Sequence, residues 1–351
     1  MVIFCELMII YNKEGEIMCY SETYIQIEKL FNKYGLEKLI KEPKQVTGGL
    51  MHKMYQVITE HKKYAVKELN PSVMQRNGVM EHIVNSERIA KALDEVVPVI
   101  TAMQFNGNPL LMLDEQYYMV FEWVDGMSIF PPHISSENCM NIGILLGKMH
   151  TADIMIPDIH KERNETEIYE WNKYLLLGQE TNAEWVDELS EMIDELKKWN
   201  KELYESCSLL SDYLVLSHRD LDPKNVMWID DNPYIIDWES AGYVNPYQEL
   251  LELLNYWADK GNGELDKDKF DALYNAYISI AGSCQVNWEM VLASGFGGML
   301  GWLNYSFKRS LGIESVSLEE KKLGTEQAFS TMKALTQYAQ NTILLKDWLE
   351  G

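Results

Sequence analysis

The sequence predicts an α+β fold in two parts, a smaller N-terminal part built on an antiparallel sheet and a larger, mainly helical C-terminal part. Three observations carry this. Residues 43–69, PKQVTGGLMHKMYQVITEHKKYAVKEL, alternate with period two between turn residues and read as a β-meander. Beyond Gly126 and Pro131-Pro132 the apolar residues recur at helical spacing instead. At 351 residues and 46% hydrophobic content, the chain is long enough for one large domain or two ordinary ones with a real core.

The opening MVIFCELMII lacks a basic leader, and Glu6 interrupts an apolar run of about ten residues, far short of a membrane span. It reads as a strand or an irregular start, and Met8 or Met18 could equally initiate the chain. From Ser21, a plausible N-cap, Ile27, Leu30, Phe31 and Tyr34 fall on one face of a helix. The meander then turns at Gly48-Gly49 and at Thr59-Glu60-His61-Lys62. GVMEHIVNSERIAKALDEV, with Ile83, Ile89, Ala90 and Leu93, predicts a helix, and YYMVFEWVDG predicts an apolar strand ending at Gly126. The junction falls near residue 125, giving an N-lobe of 1–125 and a C-lobe of 126–351. The C-lobe opens with the helical segment SSENCMNIGILLGKMHTA. Trp185, Leu189, Met192, Leu196, Trp199 and Leu203 then mark an amphipathic helix of roughly six turns.

Lys plus Arg number 31 against 54 Asp plus Glu, a formal charge of −23. So acidic a surface repels nucleic-acid backbones and anionic lipid, and attracts cations. Neither nucleic acid nor membrane is expected as a partner. The five cysteines, Cys5, Cys19, Cys139, Cys207 and Cys284, are scattered and without metal-ligand spacing, which predicts reduced thiols and a cytoplasmic protein.

Residues 217–242, SHRDLDPKNVMWIDDNPYIIDWESAG, concentrate acidic groups between apolar runs. Asp220 and Asn225 are five apart, and Asp237 follows directly after Tyr234-Ile235-Ile236. A hairpin turning at Asp230-Asp231-Asn232-Pro233 would return Asp237 beside the loop that holds Asp220. Phosphoryl transfer needs such a set: a carboxylate to take the proton of the attacking hydroxyl, and oxygen ligands for the Mg²⁺ that bridges the phosphates. The spacing agrees with the H-R-D-x-x-x-x-N loop of protein kinases and the metal-binding Asp beyond it.

GGLMHKMYQV, YAVKEL, SHRDLDPKNVMW and IIDWESAG, in this order along the chain, resemble the aminoglycoside phosphotransferase and choline kinase family, which shares the protein-kinase fold. The resemblance spans roughly residues 45–260 and implies a bilobal, protein-kinase-like architecture with Mg²⁺ and ATP or GTP held in the cleft between lobes. It implies Asp220 as catalytic base, Asn225 and Asp237 as metal ligands, and Lys67 as the lysine that reaches the α- and β-phosphates. Glu87 is the expected carboxylate partner of Lys67, with Glu81 the alternative; six residues apart, they face different sides of a helix. The Glu122 carbonyl and Val124 amide would bind adenine through the backbone, and Gly48 and Gly49 would cover the phosphates with Thr47 or His52.

Two departures bear on the substrate. Position 222 is Asp, where many protein kinases have Lys, and NPYQELLELLNYWA enters a helix soon after Asp237, leaving no room for a long activation loop. Both disfavour a protein Ser/Thr kinase. His218 and Arg219 read as structural members of the loop, and Glu239 as a helix cap or a substrate contact. Met299, Trp302 and Tyr305 read as core, the alternative being a wall of the substrate pocket where aromatic faces could hold a cation. The expected activity is γ-phosphoryl transfer to a hydroxyl of a small molecule, and the acidic surface motivates a cationic acceptor such as an aminoglycoside or amino alcohol. The rival reading is a non-catalytic nucleotide-binding relative with an assembly role.

Overall fold

The computed structural model describes residues 8–11, 17–46, 52–161, 166–314 and 317–351. The first elements are β1 (Met8–Tyr11), β2 (Ile17–Tyr20), α1 (Glu22–Tyr34), β3 (Lys44–Val46), β4 (Lys53–Ile58), β5 (Lys63–Glu68), α2 (Pro71–Met74), α3 (Val79–Leu93), β6 (Leu111–Leu113) and β7 (Gln116–Glu122). Next come α4 (Ser136–Thr151), α5 (Trp171–Thr181), α6 (Val186–Leu210), β8 (Val215–Ser217), β9 (Val226–Ile229), β10 (Asn232–Ile235) and β11 (Gly242–Val244). The chain closes with α7 (Pro246–Trp257), α8 (Lys267–Ala281), α9 (Trp288–Ser294), α10 (Gly297–Ser310) and α11 (Leu318–Glu350). Two compact units form: Met1–Ser128 with Lys224–Ala241, and Ile129–Pro223 with Gly242–Gly351.

The first unit is built on an antiparallel sheet of order β3-β4-β5-β7-β6. The Ser21 side chain accepts from the Tyr24 amide to start α1, and Gly35 ends it at φ 70°, a left-handed value that glycine adopts without strain. Between them the helix buries Ile27, Leu30 and Phe31 against Tyr55, Val57, Tyr64, Val66, Leu111 and Val120 of the sheet. A second cluster joins Ile83 of α3 to Leu69 and Met119. The sheet and the two flanking helices thus follow from the alternating and 3.6-residue patterns of the sequence.

The β9–β10 hairpin turns on Asp230 and Asp231, with φ of 45° and 64°, two residues earlier in closing than the four-residue turn expected. Positive φ at both central residues matches the right-handed twist of the strands. The sequence order assigns this hairpin to the C-terminal part, but in the fold it groups with the first unit. Backbone hydrogen bonds explain the difference: Ile235 donates to the Pro98 carbonyl, Ile100 to the Ile235 carbonyl, and Met127 and Trp228 exchange a pair. At Gly126 a Cβ would stand 2.8 Å from the Trp228 carbonyl oxygen, so only glycine lets the chain pass the hairpin this closely.

The second unit is helical apart from the short β8–β11 pair. On α4, Gly143 and Gly147 lie one turn apart and face α8: a Cβ on Gly143 would meet the Leu273 carbonyl oxygen at 2.2 Å, and one on Gly147 would meet Ile280 Cβ at 2.9 Å. The helices approach backbone to backbone along this stripe. The predicted amphipathic helix is α6, whose Leu189, Leu196, Trp199 and Leu203 are buried. Trp185 caps its start. Of the residues read as core near α10, Trp302 is 46% exposed, because the buried face of that helix runs through Leu300, Leu303 and Phe307 instead. Among the described residues no helix is long and apolar enough to cross a membrane.

Candidate functional site

In the first unit, Lys67 is on β5, opposite Met54 of β4 and Met119 of β7. The lysine is 7% exposed, and its ammonium donates to Asp237 Oδ1 at 2.8 Å and Glu239 Oε2 at 2.7 Å. Burial alone would favour loss of its proton, but the two carboxylates outweigh it and hold its pKa above the ordinary lysine value. Glu239 is therefore a member of this cluster, a role apart from the helix cap and the substrate contact between which the sequence left it. It is further fixed by His82, whose Nε2 lies 2.7 Å from the Glu239 carbonyl oxygen, and by His52, whose Nε2 is 3.7 Å from the carboxylate. His52 Nδ1 accepts from the Asn70 amide, and burial first, then Lys67, lowers its pKa.

The hairpin brings Asn225 and Asp237 together. Ile235 pairs with Val226, and one step further the Ile236 amide donates to the Asn225 carbonyl at 2.9 Å, so Asp237 leaves the strand next to Asn225. Asn225 is 2% exposed, and Asp237 adopts φ 58°, a left-handed conformation that Asp tolerates better than most residues. Among the described residues no cluster of three or more His, Cys, Asp or Glu side chains could by itself cage a metal ion.

Glu87 is on α3, as expected, but does not pair with Lys67. It is buried and accepts from the Ala102 amide at 2.8 Å. Glu81, the alternative, is exposed in the first turn. Burial pushes the Glu87 carboxyl up from 4.5 to about 7, against the opposing Ala102 hydrogen bond and Lys67 charge. A group whose folded pKa is raised holds its proton more tightly when folded, so its stabilisation is full below pH 4.5 and is lost as pH rises through 7. The shift corresponds to about 3 kcal/mol. Glu87→Gln keeps the acceptor oxygen without the titration, so its stability relative to wild type should rise by about 3 kcal/mol between pH 5 and pH 8. Denaturant unfolding of both proteins at the two pH values checks this; a pH-independent difference would contradict the assignment.

The strand end that leads to Gly126 has one informative backbone feature. Trp123 donates to the Lys63 carbonyl, which makes that pair the hydrogen-bonded one, and alternation turns the backbone groups of Glu122 away from β5. Val120, of the same parity, confirms the direction by accepting from the Met103 amide. Among the described residues the Val124 amide has no hydrogen-bond partner. Gly48, Gly49 and Thr47 lie outside the described residues.

Asp220 belongs to the second unit. It follows β8, whose Ser217 pairs with Gly242 of β11. His218 is fully buried and its Nδ1 accepts from the Asp220 amide at 3.3 Å. Arg219 adopts φ 65°, and its amide donates to Glu249 Oε1 at 2.7 Å; the Leu221 carbonyl accepts from Trp257 Nε1 at 2.9 Å. One turn along α7, Glu252 accepts from the Tyr256 hydroxyl at 3.1 Å. Solvent reaches Glu252, yet its pKa is pushed up to about 7 by the protein crowded around it and then by the negative charges of Glu249, Asp220 and Asp222.

Glu249 and His150 were not singled out by the sequence, although each is a polar residue set in an apolar helical stripe, beside Leu250, Leu253 and Leu254 or Leu145, Leu146 and Met149. Buried, such groups require partners.

An antiparallel five-stranded sheet with flanking helices, followed by a helical region carrying this loop, is the protein-kinase-like fold. Residues 42–281 match the model of the phosphotransferase enzyme family, and the chain belongs to that family. A spectinomycin phosphotransferase, solved with ADP and spectinomycin, is similar with a TM-score of 0.64 and 12% identity, over 90% of this chain and 98% of that one. The ethanolamine kinase of Plasmodium vivax is similar at 0.53 and 17%, over 92% and 91% of the two chains. At these identities the likeness shows the fold. A LicA homolog of Mycoplasma capricolum subsp. capricolum is 22% identical over 190 residues, 54% of this chain and 71% of that protein.

Proposed function

We propose that this phosphotransferase moves the γ-phosphoryl group of a nucleoside triphosphate to a hydroxyl of a small molecule, with Asp220 as the base. The observation that carries the reading is the buried Lys67 ammonium set against Asp237 and Glu239. A lysine desolvated in this way is held as a cation, and nucleotide phosphates are the ligand that could exchange with its carboxylate partners.

Asn225 and Asp237 are the residues that would hold Mg²⁺. The donor set fits, because Mg²⁺ is commonly held by one or two protein oxygens with phosphates and water supplying the rest, and no all-protein cage is needed. The Asp237 side chain is 37% exposed and so accessible to such an ion. Bound there, the ion would neutralise phosphate charge. Lys67 would orient the α- and β-phosphates. The Val124 amide, without a hydrogen-bond partner among the described residues, and the outward Glu122 backbone would receive the base of ATP or GTP, and Gly48 and Gly49 would cover the phosphates. Glu87 would act at one remove, by fixing α3 to the Ala102 amide. Asp220 would accept the acceptor's proton as the new P–O bond forms.

Asp222 and Glu252, the charged neighbours of Asp220, support a cationic acceptor; spectinomycin and ethanolamine, the names attached to the two similar structures, are both amino alcohols by chemistry. The free thiols of Cys139, Cys207 and Cys284 support a cytoplasmic setting. The test is Mg²⁺-dependent ADP or GDP release across aminoglycosides, choline-like amino alcohols, homoserine and simple sugars. Release stimulated by one amino-alcohol class is expected. A neutral acceptor with far higher kcat/KM than any cation would remove the charge argument, and nucleotide binding without turnover on any acceptor would favour the non-catalytic relative.

A further inference from the structure

In the first unit, α3 reaches the Lys67 cluster through a residue the sequence did not mark. Ile83 packs with Leu69 and Met119, and Glu87, four positions on, accepts from the Ala102 amide, so one face of α3 is fixed at two points a turn apart. His82 stands beside Ile83, and its Nε2 lies 2.7 Å from the Glu239 carbonyl oxygen. A carbonyl only accepts, so the ring donates through Nε2–H. The bond ties α3 to the short turn Trp238–Ser240 that follows Asp237.

The flanks of that turn are held locally. The Ala241 amide donates to the Trp238 carbonyl at 2.9 Å, and Trp238 Nε1 donates to the Ile235 carbonyl at 3.3 Å. Glu239 is held instead from other elements, its carbonyl by His82 of α3 and its carboxylate by Lys67 of β5. The His52 ring, 6% exposed and anchored by accepting from the Asn70 amide, stands 3.7 Å from the same carboxylate oxygen. Lys67 has three N–H groups, of which two are directed to Asp237 and Glu239. Once Asp237 takes the metal proposed for it, Glu239 is the carboxylate left to aim the lysine at a phosphate.

We propose that His82 is a positioning residue for nucleotide binding: through the Glu239 carbonyl it holds the Glu239 carboxylate on Lys67, the task expected of Glu87 on the same helix. The proposal rests on Lys67 binding nucleotide phosphates. Its physical content is that a rigid helix, fixed at Ile83 and Glu87, sets the middle residue of a turn that its own bonds fix only at the flanks. His82 is exposed, so in its absence water can satisfy the Glu239 carbonyl and the fold survives. What is lost is the link between α3 and the turn, and with it the fixed direction of the Lys67 ammonium.

The experiment compares wild type with His82→Ala, His82→Phe and His82→Gln by steady-state kinetics on the best acceptor, by ATP and GTP titration, and by hydrogen exchange of the Ala241 amide that closes the turn. His82→Ala, and His82→Phe, which keeps a ring without the donor, should raise nucleotide KM and Kd about threefold to tenfold, the worth of one hydrogen bond. Both should leave kcat within about twofold and speed Ala241 exchange about threefold to tenfold. His82→Gln, whose amide nitrogen reaches about as far as Nε2, should recover most of these effects. In a Glu239→Gln background, His82→Ala should add less than about twofold to KM, because the two residues act as one unit. Folded Ala and Phe variants with wild-type nucleotide KM overturn the proposal, whatever the exchange shows. So does a Gln variant no better than Ala, or the full effect of His82→Ala persisting beside Glu239→Gln. A lowered KM also overturns it, since Glu239 would then compete with phosphate for Lys67. A wild type that binds no nucleotide would sink the reading of Lys67 itself, while the exchange arm would still decide whether His82 holds the turn.

Discussion

Asp220→Asn should lower kcat for phosphoryl transfer by about 10²- to 10⁴-fold, the usual contribution of a positioned general base, while nucleotide affinity stays within about twofold of wild type. The substitution preserves size and one acceptor oxygen, and three backbone groups of the loop are held by other side chains. The Asp220 amide rests on His218 Nδ1, the Arg219 amide on Glu249, and the Leu221 carbonyl on Trp257. What the substitution is designed to remove is the proposed proton acceptance. Nucleotide affinity should be indifferent, because the groups proposed to bind phosphates and metal, Lys67, Asn225 and Asp237, belong to the other unit. Single-turnover transfer to the acceptor found on the panel, with parallel nucleotide titration, checks both halves. A kcat within tenfold of wild type would mean that the proton leaves to another group or late in a loose transition state.

Lys67→Met should lower kcat/KM for the nucleotide by about 10²- to 10³-fold, comparable to removing one preorganised charge-stabilising donor elsewhere. Methionine preserves most of the side-chain volume in a position that is 7% exposed, so the sheet should tolerate it. Electrostatics is a different matter. Lys67 stands between Asp237 Oδ1 and Glu239 Oε2, and without it two carboxylates face each other with no cation between them. Their mutual repulsion disfavours a triphosphate arriving at the same place. The cost to stability should be smaller than for a fully buried pair, because the two carboxylates are 37% and 34% exposed and water screens them. Lys67→Arg, which keeps the charge but not the point geometry, should fall between wild type and Met. Nucleotide kcat/KM for the Met variant within tenfold of wild type would show that the lysine is only a structural counter-ion to Asp237 and Glu239.

The candidate site was legible because its members are close in sequence or follow a regular element. Asp220, Asn225 and Asp237 occupy one 18-residue segment, and a two-strand hairpin is enough to return Asp237 to Asn225. Lys67 was legible as the last-but-one residue of an alternating strand, YAVKE. Glu87 shows where such reading fails. Helical spacing places it on α3, but which group its carboxylate meets depends on how α3 sits against the Ala102 backbone, and Lys67 pairs with Asp237 and Glu239 instead. Glu239 was ambiguous for the same reason, since two residues beyond Asp237 a short turn can aim a side chain at solvent, at a helix end or at the lysine.

By itself, then, the sequence determined the α+β class, the meander, the helical faces and the identity of the acidic loop, because these follow from local periodicity and from residues joined by one turn. Only the tertiary structure decided that residues 224–241 pack with the first unit, that Glu87 is held by Ala102, and that His150, Tyr277 and Glu249 converge on the Arg219 amide. Those partners are separated by 15 to 127 positions along the chain. Side-chain hydrogen bonds over such separations are set by how helices and strands pack, through contacts such as the glycine stripe of α4 against α8, and that packing has no periodic signature in the sequence.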